Sequence, residues 1–289
     1  MSEKEKMNIQ WYPGHMTKTR RQIEADLKLV DAVCEIVDAR IPVSSRNPDI
    51  DAICGNKPRI IVLNRMDLAD PNATKVWLDH FRKMGIAAVA TDCKSKKGVS
   101  GFQPAVRSVL KEKIARNAAK GMNKPVRVMI VGIPNVGKST FINQISGRKG
   151  AKAENRPGVT RGKQWVTVDN GLLLLDTPGI LWPKFDDPDV GMKLAYTGAV
   201  KESIMDTEEL ACHLMEVLWC HYPDTVRSRY KVEMPEQTPG YMLLEEAGRK
   251  RGFLLARGEI NTERMAKVLL DEYRSGKLGY ITFEEPEEP

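Results

Sequence analysis

The stretch GIPNVGKS, which begins at Gly132, has the spacing G-x-x-x-x-G-K-S and lies between an apolar run, PVRVMIVG, and a helical pattern. Glycines at those positions let backbone N–H groups wrap a polyphosphate, and the start of the helix adds the positive end of its dipole. Lys138 would reach the β- and γ-phosphates and the Ser139 hydroxyl a Mg²⁺ ion, with Asn135, Val136, Gly137 and Thr140 completing the candidate phosphate contacts. A second stretch, LLLLDTPG over residues 172–179, ends an apolar strand pattern in Asp176, a carboxylate suited to holding Mg²⁺ through a water. Its Gly179 would let a backbone N–H approach the γ-phosphate. Between the two, in RPGVT, Thr160 is the hydroxyl that would close on Mg²⁺ when a γ-phosphate is present.

A third stretch, IIVLNRMDLAD over residues 60–70, has the chemistry of a guanine reader. Guanine presents an N1–H beside an exocyclic N2 amine, and one carboxylate, Asp67, can accept from both. Adenine would leave that carboxylate unpaired, and a site built on a buried polar group rejects such an analogue strongly. Asn64 would complete the pocket from the other edge, and the stem of Arg65, standing where Lys is usual, would cover the base. TDCKSKKG, residues 91–98, supplies a second contact through the Cys93 backbone N–H and Lys94. The order is unusual, because the base reader precedes the phosphate loop. Joining the natural termini of a parallel sheet and cutting it between DTPG and N-x-x-D gives this order, so circular permutation explains it better than chance.

Hydrolysis needs a group that orients water. Many phosphate-loop enzymes place Gln just after D-x-x-G, but Ile180 stands there and cannot hydrogen-bond. His15, in WYPGHM, is the candidate, since a neutral imidazole can orient or deprotonate water. The same Pro-Gly-His could instead shape the turn into the first helix. Asn135 matches loops that hold K⁺ beside the phosphates.

The elements that must position these groups alternate. AVCEIVDAR, RIIVLN, IAAVAT and PVRVMIVG read as strands, separated by helical patterns such as ATKVWLDHFRKMG, which Gly85 stops, and a helix over 102–120. Strands separated by helices of this length argue for an α/β domain, a mainly parallel sheet with helices on both faces. Asn170-Gly171, between the apolar runs of KQWVTVDNGLLLLD, predicts a two-residue hairpin. From about residue 204 the patterns are helical until YITFE, so the chain divides into a domain over 1–200 and a small all-α domain over 204–289.

The 289 residues hold 42% hydrophobic side chains, enough for a real core, and no apolar run approaches a membrane span. The polar start and five cysteines without metal-ligand spacing suit a cytoplasmic protein with reduced thiols. The net charge of +7 is uneven: residues 200–289 carry 12 basic and 18 acidic side chains, leaving 33 basic and 20 acidic in the remainder. A basic body of that kind suits a polyanionic partner such as RNA. Within the acidic part, GRKR at 248–251 with Arg257, Arg264, Lys267, Arg274 and Lys277 could still make one basic face.

Taken with IQWYPGHMTKTRRQI, VDARIPVSSRNP, RPGVTRGKQW, LLDTPGILWPKF and RSGKLGYITFE, these motifs resemble the circularly permuted GTPases, and closely the ribosome biogenesis GTPase A (RbgA/YlqF) family, over nearly the whole chain. The resemblance implies a permuted G domain that binds GTP and GDP with Mg²⁺, and a helical C-terminal domain that contacts ribosomal RNA. It also implies a role in late assembly of the large ribosomal subunit, with the P-G-H-M histidine, here His15, acting on water. Turnover would be slow alone and faster on the ribosomal particle, and the protein is expected to be monomeric off the ribosome. Arg65 for Lys and TDCK for Ser-Ala-Lys depart from the family pattern and imply altered affinity rather than altered base choice. Two other readings remain: a guanine-nucleotide switch that recruits a protein partner with negligible hydrolysis, and a phosphate-loop kinase or ATPase, against which Asp67 speaks.

Overall fold

A computed structural model describes residues 14–147, 164–168, 171–179, 181, 187–200 and 206–286; of residues 14–19 it describes the backbone alone. The side chain of His15, and Thr160, Asn170 and Ile180 altogether, lie outside the described residues. The first unit comprises α1 (Gly14–Asp26), β1 (Ala32–Asp38), α2 (Asp49–Cys54), β2 (Arg59–Asn64), α3 (Pro71–Lys83) and β3 (Ala87–Thr91). It continues through α4 (Phe102–Val109), α5 (Lys111–Ala119), β4 (Val126–Val131), α6 (Lys138–Ser146), β5 (Gln164–Val168) and β6 (Leu172–Asp176).

Among the described residues six strands form one sheet in the order β3-β2-β1-β4-β6-β5. All neighbours are parallel except β5, which runs antiparallel to β6. Every residue of β1 is buried, the signature of a strand covered on both faces. Counted from β4, the spatial order becomes 2-3-1-4-5-6, a doubly wound sheet whose chain has been opened between β6 and β1.

Local chemistry explains the helices that frame the site. The Asp70 side chain accepts from the N–H groups of Asn72 and Ala73, and Pro71 opens α3 with its φ already set. The helix buries Thr74, Trp77 and Phe81 on one face, and the two aromatics pack on Val37, Ala39, Ile61 and Leu63. The expected helix over 102–120 is two helices. Phe102 and Val106 of α4 are buried, whereas α5 buries none of its residues, and the chain breaks at Leu110 (φ −104°, ψ 15°) as it leaves the core. The hairpin also differs from expectation. Val168 pairs with Leu172, so three residues connect β5 and β6, and Gly171 takes the left-handed position at φ 73°.

A second unit runs from Phe185 to Phe283 and contains α7 (Pro188–Tyr196), α8 (Thr207–His221), α9 (Pro223–Tyr230), α10 (Gly240–Lys250) and α11 (Thr262–Ser275). Its boundaries differ from the expected 204–289. Met192, Ala195 and Tyr196 of α7 are packed with Leu214, Leu218 and Leu269 in the helical core, which moves the start back. At the other end Glu284–Pro289 belong to the first unit with Gln10–Lys184. YITFE is not a strand. Its polar backbone finds side chains instead: Tyr222 Oη donates to Thr282 O at 2.7 Å, and Trp77 Nε1 donates to Glu284 O at 2.9 Å. Among the described residues no helix is long and apolar enough to cross a membrane.

The expected basic face of the helical unit is largely engaged. Arg249 and Lys250 pair with Glu245 and Glu246, Arg251 with Glu272, and Lys267 with Glu263. Arg264 stacks on Phe253 at 4.2 Å, and Arg274 donates to the carbonyls of Ala195 and Tyr196 at the end of α7. Arg257 and Lys277 are exposed.

Candidate functional site

Parallel strands deliver their C-terminal ends to one edge of the sheet, and ligands bind such sheets where the strand order reverses, here at β1 and β4. The phosphate loop follows β4, DTPG follows β6, Arg65 and Asp67 follow β2, and Cys93 and Lys94 follow β3. The structure thus brings the three motifs of the sequence to one edge despite their inverted order.

Lys138 opens α6 and is buried, its Nζ donating to the carbonyls of Gly132 at 2.9 Å and Ile133 at 2.7 Å. Burial pulls its pKa down to about 8, with the Asp176 carboxylate opposing. Burial likewise pushes Asp176 up to about 6, while the Lys138 ammonium and a backbone hydrogen bond from Thr177 work against the shift. Both charged forms are therefore costly here without further partners of opposite sign. Among the described residues, Asp176 Oδ1 is buried and meets no hydrogen-bond donor. A cation or its bound water fits that oxygen, and half-buried Ser139 stands next to Lys138 in the chain. Thr177 Oγ1 donates to Ile130 O at 2.7 Å and ties DTPG to β4. Gly179 comes so close to the phosphate loop that a Cβ would stand 2.8 Å from Pro134 N and 2.9 Å from Lys138 Nζ.

The residues expected to read the base are themselves held within the protein. Asn64, 3% exposed, donates from Nδ2 to Val136 O at 2.7 Å and accepts at Oδ1 from Thr91 Oγ1 at 3.1 Å. Gly137, at φ 103°, must be glycine beneath it, since a Cβ would lie 2.4 Å from Asn64 Nδ2. Arg65, at φ 61°, donates from Nη2 to Asn135 O at 2.6 Å. Asn64 and Arg65 thus brace the phosphate loop from the end of β2. Asp67 is half-buried, and burial followed by the nearby Asp92 charge raises its pKa, against Lys94 and Arg65. Cys93 is buried with its thiol pushed up to about 11 by desolvation, so its side chain is inert and its backbone is what it can offer. Half-buried Thr140 follows Ser139 in the first turn of α6.

Sequence reasoning did not single out Thr91. Its signal was the end of a strand: Thr91 stands in register with Asn64 at the tips of β3 and β2, where a hydroxyl beside an amide fixes the amide's orientation.

Residues 127–238 match the family described as 50S ribosome-binding GTPase. The chain is 49% identical over 285 residues to ribosome biogenesis GTPase A of Priestia megaterium, covering 98% of each chain. It is 33% identical over 280 residues to ribosome biogenesis GTPase A of Thermotoga maritima, covering 97% of this chain and 95% of the other. The crystal structure of GNP-bound YlqF from T. maritima superposes with a TM-score of 0.62 at 30% identity, over 94% of this chain and all of that one. Inverted motif order, doubly wound sheet and full-length likeness agree: the chain is a circularly permuted GTPase and belongs to the ribosome biogenesis GTPase A family.

Proposed function

We propose that this protein hydrolyses GTP to GDP and phosphate as an assembly factor in late maturation of the large ribosomal subunit, slowly alone and faster on the particle. The observation that carries it is the bracing of the phosphate loop by the base-reading Asn64 and Arg65, with a buried Asp176 oxygen that has no partner among the described residues. Asp67 reads guanine, Cys93 and Lys94 border the base, and Asn135, Val136, Gly137, Lys138, Ser139 and Thr140 hold the phosphates. Ser139, Thr160 and Asp176 hold Mg²⁺, which neutralises phosphate charge when bound, and Asn135 holds K⁺. His15 orients the attacking water. The names of the relatives support a ribosomal partner, and the excess of basic side chains over residues 1–199 supports contact with its RNA.

Single-turnover GTP hydrolysis in K⁺ buffer, with and without purified large subunits, tests this. Stimulation by subunits of at least about ten-fold is expected, and GTP binding without any stimulation would overturn it. That second outcome would favour a nucleotide switch with negligible hydrolysis, a reading that one observation supports: apolar Ile180 follows Gly179.

Gly179→Ala is expected to weaken binding of a non-hydrolysable GTP analogue at least ten-fold more than binding of GDP. Its methyl would force DTPG off Pro134 and Lys138, where the γ-phosphate must be received. Titration with both nucleotides measures the ratio, and equal losses would show that Gly179 does not serve the γ-phosphate.

A further inference from the structure

The segment VDARIPVSSRNP, residues 37–48, has no role in the nucleotide reading above, yet its polar groups are tightly organised. Asp38 ends β1 in register with Asn64 of β2. It is 2% exposed and Arg40 is 0% exposed, and the two pair through both carboxylate oxygens: Arg40 Nε donates to Oδ1 at 2.9 Å and Nη2 to Oδ2 at 2.8 Å. Ser45 Oγ accepts from Asp38 N at 2.9 Å and donates to Ile41 O at 2.6 Å, closing the loop on itself. Asp38 is held below the ordinary carboxylate range, because the Arg40 and Arg65 charges and the Arg40 hydrogen bonds outweigh the burial that favours the neutral form. Its charge is shared between the Arg40 and Arg65 guanidinium groups.

One neighbour is Arg65. Its Nε lies 3.7 Å from Asp38 Oδ2, while its Nη2 donates to Asn135 O of the phosphate loop. The guanidinium is thus held at two points, by Asp38 and by the loop it braces, on a backbone whose left-handed φ already aims the side chain. At its far end the segment is pinned by the C-terminal tail. Val43 N donates to Glu284 Oε2 at 2.6 Å, and Ser44 N and Oγ donate to the same carboxylate.

From this geometry we propose that Asp38 is a positioning residue for retention of the guanine nucleotide, acting through Arg65, and that Glu284 locks the loop that carries it. The proposal rests on the guanine-site reading above. Asp38 touches no base or phosphate group in that reading; it fixes the side chain that covers the base and braces the phosphate loop. A purely structural ion pair would instead support the fold without regard to Arg65.

The test is release of a fluorescent GDP analogue, N-methylanthraniloyl-GDP, from the full-length protein. Four proteins are compared: wild type, Asp38→Asn, Arg65→Ala and the double variant, each with its melting temperature. Retention by the wild type is the check on the site reading itself, and its absence would overturn that reading and the proposal with it. With retention present, Asp38→Asn and Arg65→Ala are each expected to speed release about five-fold or more, with the double variant no faster than Arg65→Ala alone. Rate increases that multiply in the double variant, or an unchanged rate in Asp38→Asn, would overturn the proposal. Should Asp38→Asn fail to fold, Glu284→Gln takes its place. It keeps an acceptor for Val43 and Ser44 but loses the charge, and it should speed release about two-fold in the wild-type background and not at all beside Arg65→Ala. No acceleration, or an acceleration that persists without Arg65, counts against the proposal.

Discussion

Asp67→Asn is expected to lower GDP and GTP affinity by on the order of 10³-fold or more and to open the site to xanthine nucleotides. In the proposed site the Asp67 carboxylate accepts from N1–H and from the N2 amine of guanine. An amide keeps one acceptor but turns its NH₂ toward N2, so two donors face each other and a half-buried polar group loses its partner. Xanthine has a carbonyl at C2 in place of the amine, and the new side-chain amide would donate to it while its oxygen accepts from N1–H. Parallel titrations with GDP and XDP measure the exchange; GDP affinity kept within ten-fold, with no gain for XDP, would remove Asp67 from the base site. The same carboxylate predicts a pH effect. Burial and Asp92 raise its pKa, whereas two guanine donors favour the charged form, so GDP affinity should fall as the pH is lowered toward the carboxylate range. Asp67→Asn should flatten that fall.

Lys138→Met should lower single-turnover GTP hydrolysis by about 10²–10³-fold, the scale for losing one preorganised charge from a phosphoryl-transfer site. Its effect on the nucleotide-free fold should be small. Burial holds the lysine pKa near 8, below its unfolded value, so the unfolded chain binds more protons between about pH 8 and 10.5. That group therefore adds stability as pH rises through the window and costs stability at neutral pH, where the ammonium is buried against two carbonyls. A methionine fills similar volume without that cost. Thermal unfolding without nucleotide should shift by no more than a few degrees, while added GTP should protect the variant less than the wild type. Hydrolysis within ten-fold of wild type would make Lys138 a structural residue.

Much of this was legible before any coordinates. A glycine pattern at fixed spacing between a strand and a helix states its own geometry, and the loop does lie between β4 and α6, with Lys138 and Ser139 opening the helix. The permuted fold followed from the inverted motifs, because a doubly wound sheet keeps its ligand edge wherever the chain is opened. What sequence left hidden were bonds between residues distant in the chain. Asn64 was expected at the base, yet both of its polar atoms are engaged within the protein, by Val136 and Thr91, and only the register of β2 with β3 reveals this. Arg274 belonged by composition to a basic face, but capping α7 uses its guanidinium. YITFE alternates like a strand, and alternation cannot say whether a sheet edge is there to receive it.

Because, among the described residues, the chain leaves the nucleotide-binding unit before Asp187 and rejoins it at Glu284, the helices α7 to α11 are an insertion rather than an appendage. The practical reading of a C-terminal fusion changes accordingly. An affinity handle or fluorophore placed after Pro289 is joined to the unit that carries the phosphate loop, and a stop codon before Glu284 trims that unit while leaving every helix from α7 to α11 encoded. Proteolytic nicking obeys the same topology among the described residues: one cut between Leu181 and Asp187, or one between Phe283 and Glu284, leaves α7 to α11 joined to the phosphate-loop unit through the other crossing.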